Sequence, residues 1–361
     1  MVDKQADASG ALAGLRLVEF SAIGPAPFAV MLLSDLGVEV LRIDRADADW
    51  PDVPIISRGR ATLTLDLKSA ADRDRALEIA AAADIVVEGY RPGTMERLGL
   101  GPNDLFRHNE RLIYGRMTGW GQSGPLSQSA GHDINYIGLA GLLDAISLPD
   151  RPPAPPLNLL GDYGGGALYL VIGILAALIE RARSGRGQVI DAAIVDGSAS
   201  LLSPILGMIA AGLLPKQPGR GMLSGGAAFY RTYACADGRY VAVGPLEAKF
   251  RVRLAELLNI DAAVFDEADR TAEIERLFAS RPRDDWAPLF ADPNCCVTPV
   301  LELAETPAHP FIAGRDIFIT VDGQLQPAPA PRFSRTPGAV QGATNVTDRL
   351  SAWGIKEKAE A

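Results

Sequence analysis

Short apolar runs alternate with helix-patterned stretches through the first 118 residues, and this alternation restricts the fold more than any other feature. Strands are expected at 15–20, 38–43, 62–67, 85–88 and 112–118, with helices at 28–36 and 70–83 between them. Strands separated by helices pair in parallel, because only a crossover connection returns the chain to the same edge. Pro25 and Pro27 suit the first turn of the first helix, and Gly37 ends it. Ligands of such sheets gather beyond the carboxyl ends of the strands. Arg45, Arg91 and Thr118 fall there.

The pattern changes further along. A long apolar helix is expected over 163–183, a strand over 188–192 and a helix over 198–214, followed by a Pro/Gly-rich stretch at 215–226. Two apolar runs, 230–235 and 240–243, flank Asp237 and Gly238, a hairpin signal. Helices are expected near 247–259 and 271–279, and residues 326–332 read as an extended polyproline connector. With 361 residues, 48% of them hydrophobic, the chain can build two cores. The expected fold class is α/β: a large domain with a Rossmann-like parallel sheet flanked by helices, plus a smaller α+β domain joined by linkers. The large domain is placed at 1–191 and completed by about 332–361, with a helical linker at 192–226, the small domain at 227–314 and a return linker at 315–331.

A net charge of −9 argues against general nucleic-acid binding, which needs a basic face. The three cysteines, Cys235, Cys295 and Cys296, form neither a zinc spacing nor a disulfide framework, so a reducing compartment, the cytoplasm, is expected. Residues 1–10 are polar and unlike a signal peptide. The uncharged run 163–179 is at the short limit for a membrane span, and is read as a buried helix. No membrane span is expected.

Two motifs could carry chemistry. Gly131, His132, Asp133, Ile134, Asn135 and Tyr136 follow a glycine-rich loop and open a helical stretch. A lone histidine at such a place is commonly structural, and can equally be a general base. The second is Gly161, Asp162, Tyr163, Gly164, Gly165 and Gly166. Asp162 stands where a helix N-cap would, a role worth about 1 kcal/mol. Three consecutive glycines weaken a helix, but let a ligand approach the backbone and offer N–H groups to an oxyanion.

Together with Leu157–Gly161, Gly187–Ala192 and Ala236–Gly244, these motifs resemble the alpha-methylacyl-CoA racemases of the family III CoA-transferase superfamily, from about residue 12 to 335. The resemblance implies an enzyme of lipid and fatty acid metabolism that racemises 2-methylacyl-CoA thioesters by two-base proton transfer through an enolate. His132 and Asp162 match the two bases, Glu247 the carboxylate that orients the histidine, and Asp133 a support for Asp162. CoA-binding positions carry over onto Arg45, Leu65, Asp66, Leu67, Lys68, Gly89, Tyr90, Arg91, Arg97, Gly131 and Tyr136. No metal or redox cofactor is implied, CoA entering as part of the substrate. An interlocked homodimer is also implied, with Glu247 reaching His132 across chains.

Two departures from the family pattern stand out. Ser224 and Ala228 replace an aspartate and a proline, and Ala248 and Lys249 replace Pro-Gln after the glutamate. They bear on substrate preference and turnover. The rival readings are a CoA-transferase using Asp162 as nucleophile, against which His132 argues, and a catalytically weak acyl-CoA-binding homologue.

Overall fold

The structure, a computed structural model, describes residues 10–45, 53–148, 151–217, 221–266 and 270–356. Most of the polar start (1–9) and part of the expected 215–226 linker (218–220) lie outside them. The described chain divides into two compact units: residues 1–140, 156–201 and 318–361 form the first, residues 141–155 and 202–317 the second.

Six strands build the sheet of the first unit: β1 (Arg16–Phe20), β2 (Glu39–Asp44), β3 (Arg60–Thr64), β4 (Ile85–Glu88), β5 (Ile113–Thr118) and β6 (Val189–Ala193). All pairs are parallel, in the order β3-β2-β1-β4-β5-β6. This is the doubly wound order, whose direction of progression reverses between β1 and β4. Neighbouring residues of a strand point to opposite faces, so both faces are apolar. Val18, Leu41 and Val86 pack under the helix Ala70–Ala81, while Leu17, Val40, Ile85 and Ile113 pack under Pro25–Asp35 and Leu168–Ser184. The C-terminal helix Val346–Ala352 returns to the first of these faces with Leu350 and Trp353.

Leu159–Ser184 forms one 26-residue rod, long and apolar enough by length and composition to cross a membrane. In this fold Leu170, Ile174 and Ala177 are buried, while Leu168, Ile172 and Ile179 remain exposed. Its first part, Leu159–Ala167, winds as a π-helix. There the helix Ile194–Leu201 comes so close that backbone meets backbone. A Cβ on Gly197 would lie 1.8 Å from the Gly165 carbonyl oxygen, and one on Gly165 would lie 2.6 Å from the Ser198 nitrogen.

The second unit carries an antiparallel sheet, β7 (Arg231–Ala234), β8 (Tyr240–Val243) and β9 (Val297–Val300), in that order. Gly238, at φ 77°, makes the β7–β8 turn. Tyr233, Val241, Leu254, Phe265 and Phe278 fill the core of this unit.

Several expectations are corrected. β3 ends at Thr64 rather than 67, because the Asp66 carboxylate accepts the Lys68 N–H and closes a turn. The expected helix 198–214 begins at Ile194 and breaks near Ser203, and its first segment lies in the first unit instead of a linker. The expected return linker 315–331 contains a hairpin, β10 (Phe318–Val321) and β11 (Gln324–Pro327), turned at Asp322 and Gly323, both with positive φ. The prolines hid it, since only Pro327 falls on a strand, at its end.

The close approach generates a stability prediction. Gly197→Ala lowers the thermal midpoint by overpacking, at a cost of about 3 kcal/mol. Gly207→Ala, in the helix Ser203–Ala210 with nothing within 4 Å, leaves it unchanged or higher. Equal midpoints for the two variants in thermal unfolding would show that the helices have room to separate.

Candidate active site

In a parallel sheet every strand delivers its C-terminus to the same edge. Arg45 follows β2, residues 65–68 follow β3, residues 89–91 follow β4, and Gly119 follows β5. The strand order reverses between β1 and β4, the place where doubly wound sheets commonly bind their ligands. Asp162 is at this place. Its Oδ2 lies 3.4 Å from where a Cβ on Gly24, just beyond β1, would stand.

His132 is the N-cap residue of the helix Asp133–Leu139, with extended backbone, and its N–H is accepted by Asn135 Oδ1 at 3.0 Å. The imidazole is on an exposed residue, whereas Asp133 turns inward and is buried. Asp133 Oδ1 accepts the backbone N–H of Asp162 at 2.7 Å. No side chain fits at Gly161, where a Cβ would come within 2.4 Å of the same oxygen. The two motifs are thus joined by one hydrogen bond.

Asp162 is not an N-cap. Asn158 holds that position, and Asp162 is on the first turn of the π-helix, with Asn158 Nδ2 donating to its Oδ2 at 3.2 Å. Burial raises the Asp162 pKa above the usual 3.8; Asn158 opposes this, the Asp133 charge adds to it and His132 offsets it. The glycines also differ from expectation. The N–H of Asp162 is used by Asp133 and that of Tyr163 bonds the Asn158 carbonyl at 3.4 Å, while Gly165 serves the helix contact described above. Asn158 was missed in the sequence. Its spacing of four residues before Asp162 on one helix face is the signal that could have found it.

The other expected positions separate into two kinds. Arg45, Asp66, Lys68, Arg91 and Arg97 are exposed at or near the carboxyl edge. Arg97 donates to Thr94 Oγ1 at 3.0 Å, and the Arg91 guanidinium makes no hydrogen bond or ion pair among the described residues. Arg45 and Tyr90 are brought together: burial raises the Tyr90 hydroxyl pKa, and the Arg45 charge and the Ser21 hydroxyl pull it back. Leu65 and Leu67 instead bury their side chains in the core, leaving main-chain groups to offer a ligand. Tyr136 is also buried. Its hydroxyl donates to the Gly131 carbonyl and its ring meets Trp120 edge-on at 4.8 Å, so it shapes the loop that ends at His132.

Glu247 belongs to the second unit, exposed at the N-cap of Ala248–Leu258 and making no side-chain hydrogen bond to that helix. Its charge raises the Cys296 thiol pKa, after burial as the larger cause. Cys296 lines a cavity of 620 Å³ within the same unit, together with Leu223, Ser224, Tyr230 and Gly244. Of the departures, Ser224 is thus on a cavity wall, Ala228 is buried with its carbonyl accepting the Tyr233 hydroxyl, and Lys249 lies over the Phe250 ring at 4.8 Å.

Comparison with known proteins agrees with this architecture. Residues 12–344 match the profile of CoA-transferase family III. The chain is 41% identical over 334 residues to alpha-methylacyl-CoA racemase from Mus musculus, covering 90% of this chain and 87% of that protein. It is 40% identical over 335 residues to alpha-methylacyl-CoA racemase from Homo sapiens, covering 91% and 87%. Among solved structures, a CaiB/BaiF family protein from Brucella suis superposes with a TM-score of 0.81 at 28% identity, covering 95% of this chain and 98% of that one. Over nearly its whole length, from residue 12 to 344, the chain belongs to CoA-transferase family III.

Proposed function

We propose that this protein is an isomerase that interconverts the (2R) and (2S) forms of 2-methylacyl-CoA thioesters by two-base proton transfer. The observation that carries the reading is the 2.7 Å hydrogen bond from the Asp162 N–H to Asp133, which holds the turn bearing Asp162 against the helix that begins at His132. The identity to the mouse and human racemases supports the reaction class.

The chemistry follows from these groups. A thioester α-proton is weakly acidic, so its removal needs a positioned base whose proton affinity suits the task. One base takes the proton, the C–H pair moves into the enolate, and the other base returns a proton to the opposite face. Nothing is consumed. Burial makes the Asp162 carboxylate a stronger base than an exposed aspartate, which suits it to one face. His132 serves the other. Arg45, Lys68, Arg91 and Arg97 are assigned to the nucleotide phosphates, where guanidinium and ammonium groups bind well.

The working form is proposed to be an interlocked homodimer in which Glu247 of one chain orients His132 of the other. Two features favour it. Glu247 is an exposed carboxylate without a partner on its own helix, and Leu168, Ile172 and Ile179 make an uncovered apolar stripe on the longest helix. The three free thiols support the proposal of a reducing cytoplasmic setting, and the substrate class a role in lipid metabolism.

Deuterium wash-in at C2 tests the reaction. The wild type exchanges both enantiomers with no second CoA acceptor, while Asp162→Ala and His132→Ala each abolish racemisation and keep CoA affinity within about tenfold, or 1.4 kcal/mol. Near-normal exchange of both enantiomers by either variant would remove that residue from the chemistry, and dependence on an acceptor would identify a transferase. The acid limb of the pH–rate profile lies above the ordinary aspartate range, since Asp162 must lose its proton to act as base. Asp133→Asn removes the charge that adds to the effect of burial, so the limb moves to lower pH; an upward or absent shift contradicts the coupling. Mixing inactive His132→Ala and Glu247→Ala chains under exchange conditions restores activity if sites are shared between chains. Heterodimers that form and stay inactive would exclude sharing.

A further inference from the structure

A buried charge assembly stands beside the proton-transfer pair without being part of it. Glu88 ends β4 at the switch point of the sheet and is 0% exposed. Its Oε2 accepts the backbone N–H of Tyr90 at 2.7 Å, and its Oε1 accepts Nε–H of Arg116, on β5, at 2.9 Å. The two terminal nitrogens of Arg116 donate to both oxygens of Glu96, at 2.7 and 3.2 Å. Glu96 is on the short helix Thr94–Arg97. One guanidinium therefore ties both ends of the segment from Tyr90 to Arg97 to the neighbouring strand.

Packing alone does not call for such a device. Burying a carboxylate and a guanidinium carries a desolvation cost that apolar side chains of similar volume avoid. What the charged fork adds is direction, because bidentate pairing fixes angle as well as distance. The segment so fixed bears Arg91 and Arg97, both exposed, and the Arg91 guanidinium has no protein partner among the described residues. A rigid mount for an unpartnered cation suits the capture of an anion.

We propose that Glu88, acting through Arg116 and Glu96, is a positioning residue for the nucleotide end of the substrate, holding Arg91 and Arg97 where the CoA phosphates bind. The inference rests on the CoA-thioester reading above. Glu88 touches no substrate. It acts on affinity for the phosphates and leaves the proton transfer alone.

Two variants and two ligand lengths test this. Glu88→Gln removes the inner charge, and Glu96→Ala removes the outer anchor, whose side chain is 45% exposed and whose loss leaves the core intact. Calorimetric Kd is measured for CoA and for pantetheine, which lacks the nucleotide, and α-deuterium exchange is followed on a 2-methylacyl-CoA and on the matching N-acetylcysteamine thioester. The expected result is a rise of about tenfold in Kd and KM for the CoA forms with Glu88→Gln, and about threefold with Glu96→Ala. In both variants kcat stays within about twofold, and the truncated ligands are unaffected. Equal losses on long and truncated ligands, or a fall in kcat at constant KM, overturn the proposal in favour of a general structural role. If Glu88→Gln does not fold, Glu96→Ala decides by the same criteria. A wild type that binds CoA without α-proton exchange would sink the racemase reading and leave the brace to be judged on Kd. A wild type that binds no CoA overturns both.

Discussion

The site depends on a helix turn held by contacts that leave no room for side chains. The π-helical turn bearing Asp162 is pressed against the His132 helix at Gly161 and against the helix Ile194–Leu201 at Gly165 and Gly197. Backbone meets backbone or carboxylate at each place, so the position of Asp162 is not set by a side-chain rotamer alone. The i→i+5 winding is rare, is mostly confined to a single turn inside an α-helix, and is frequent at functional sites. Here it starts a rod whose buried residues, Leu170, Ile174 and Ala177, anchor it to the sheet. Rigid support of this kind is what a base needs to remain in register with a reacting carbon.

Electrostatics explain how a chain with net charge −9 can present cations to an anion. Many of its arginines are already committed. Arg60 is paired with Glu19 inside the first unit, Arg58 with Asp35, and Arg116 with Glu88 and Glu96. Each neutralises a carboxylate that would otherwise be costly to bury. Burial still raises the Glu88 carboxyl to about 6, against the pull of the Tyr90 N–H and Arg116. Arg91, exposed beyond the end of β4, makes no hydrogen bond or ion pair through its guanidinium among the described residues. Net charge therefore says little about the site, because a few local cations on a common edge outweigh the average.

Much of the first unit was legible in the sequence because its signals are local. The runs at 15–20, 38–43 and 85–88 are apolar enough to be strands buried on both faces, and Gly37 marks a helix end by its backbone freedom. Local signals failed where pairing came from a distance. β9 is a short run interrupted by Pro299, and is a strand only because β8 lies beside it. Val346–Ala352 is held by Leu350 and Trp353 reaching a core built more than 200 residues earlier, and by Trp353 Nε1 donating to Glu39 at 2.7 Å. The glycine run suggests room for a ligand, but at Gly165 the room is taken by another helix.

The sequence by itself determined which chemical groups are available: an imidazole and a carboxylate in two motifs, exposed arginines after strand ends, and apolar periods that commit the first unit to a parallel sheet. These follow from residue type and short-range spacing, which act along the chain. Only the tertiary structure decided that Asp133 serves Asp162 through its backbone N–H, that Asn158 and not Asp162 takes the N-cap, and that Glu88 ties the Arg91 segment to β5. Those relations join residues far apart in sequence or turn on helix winding. Their free energy comes from geometry that exists only once the sheet has formed and water has been excluded.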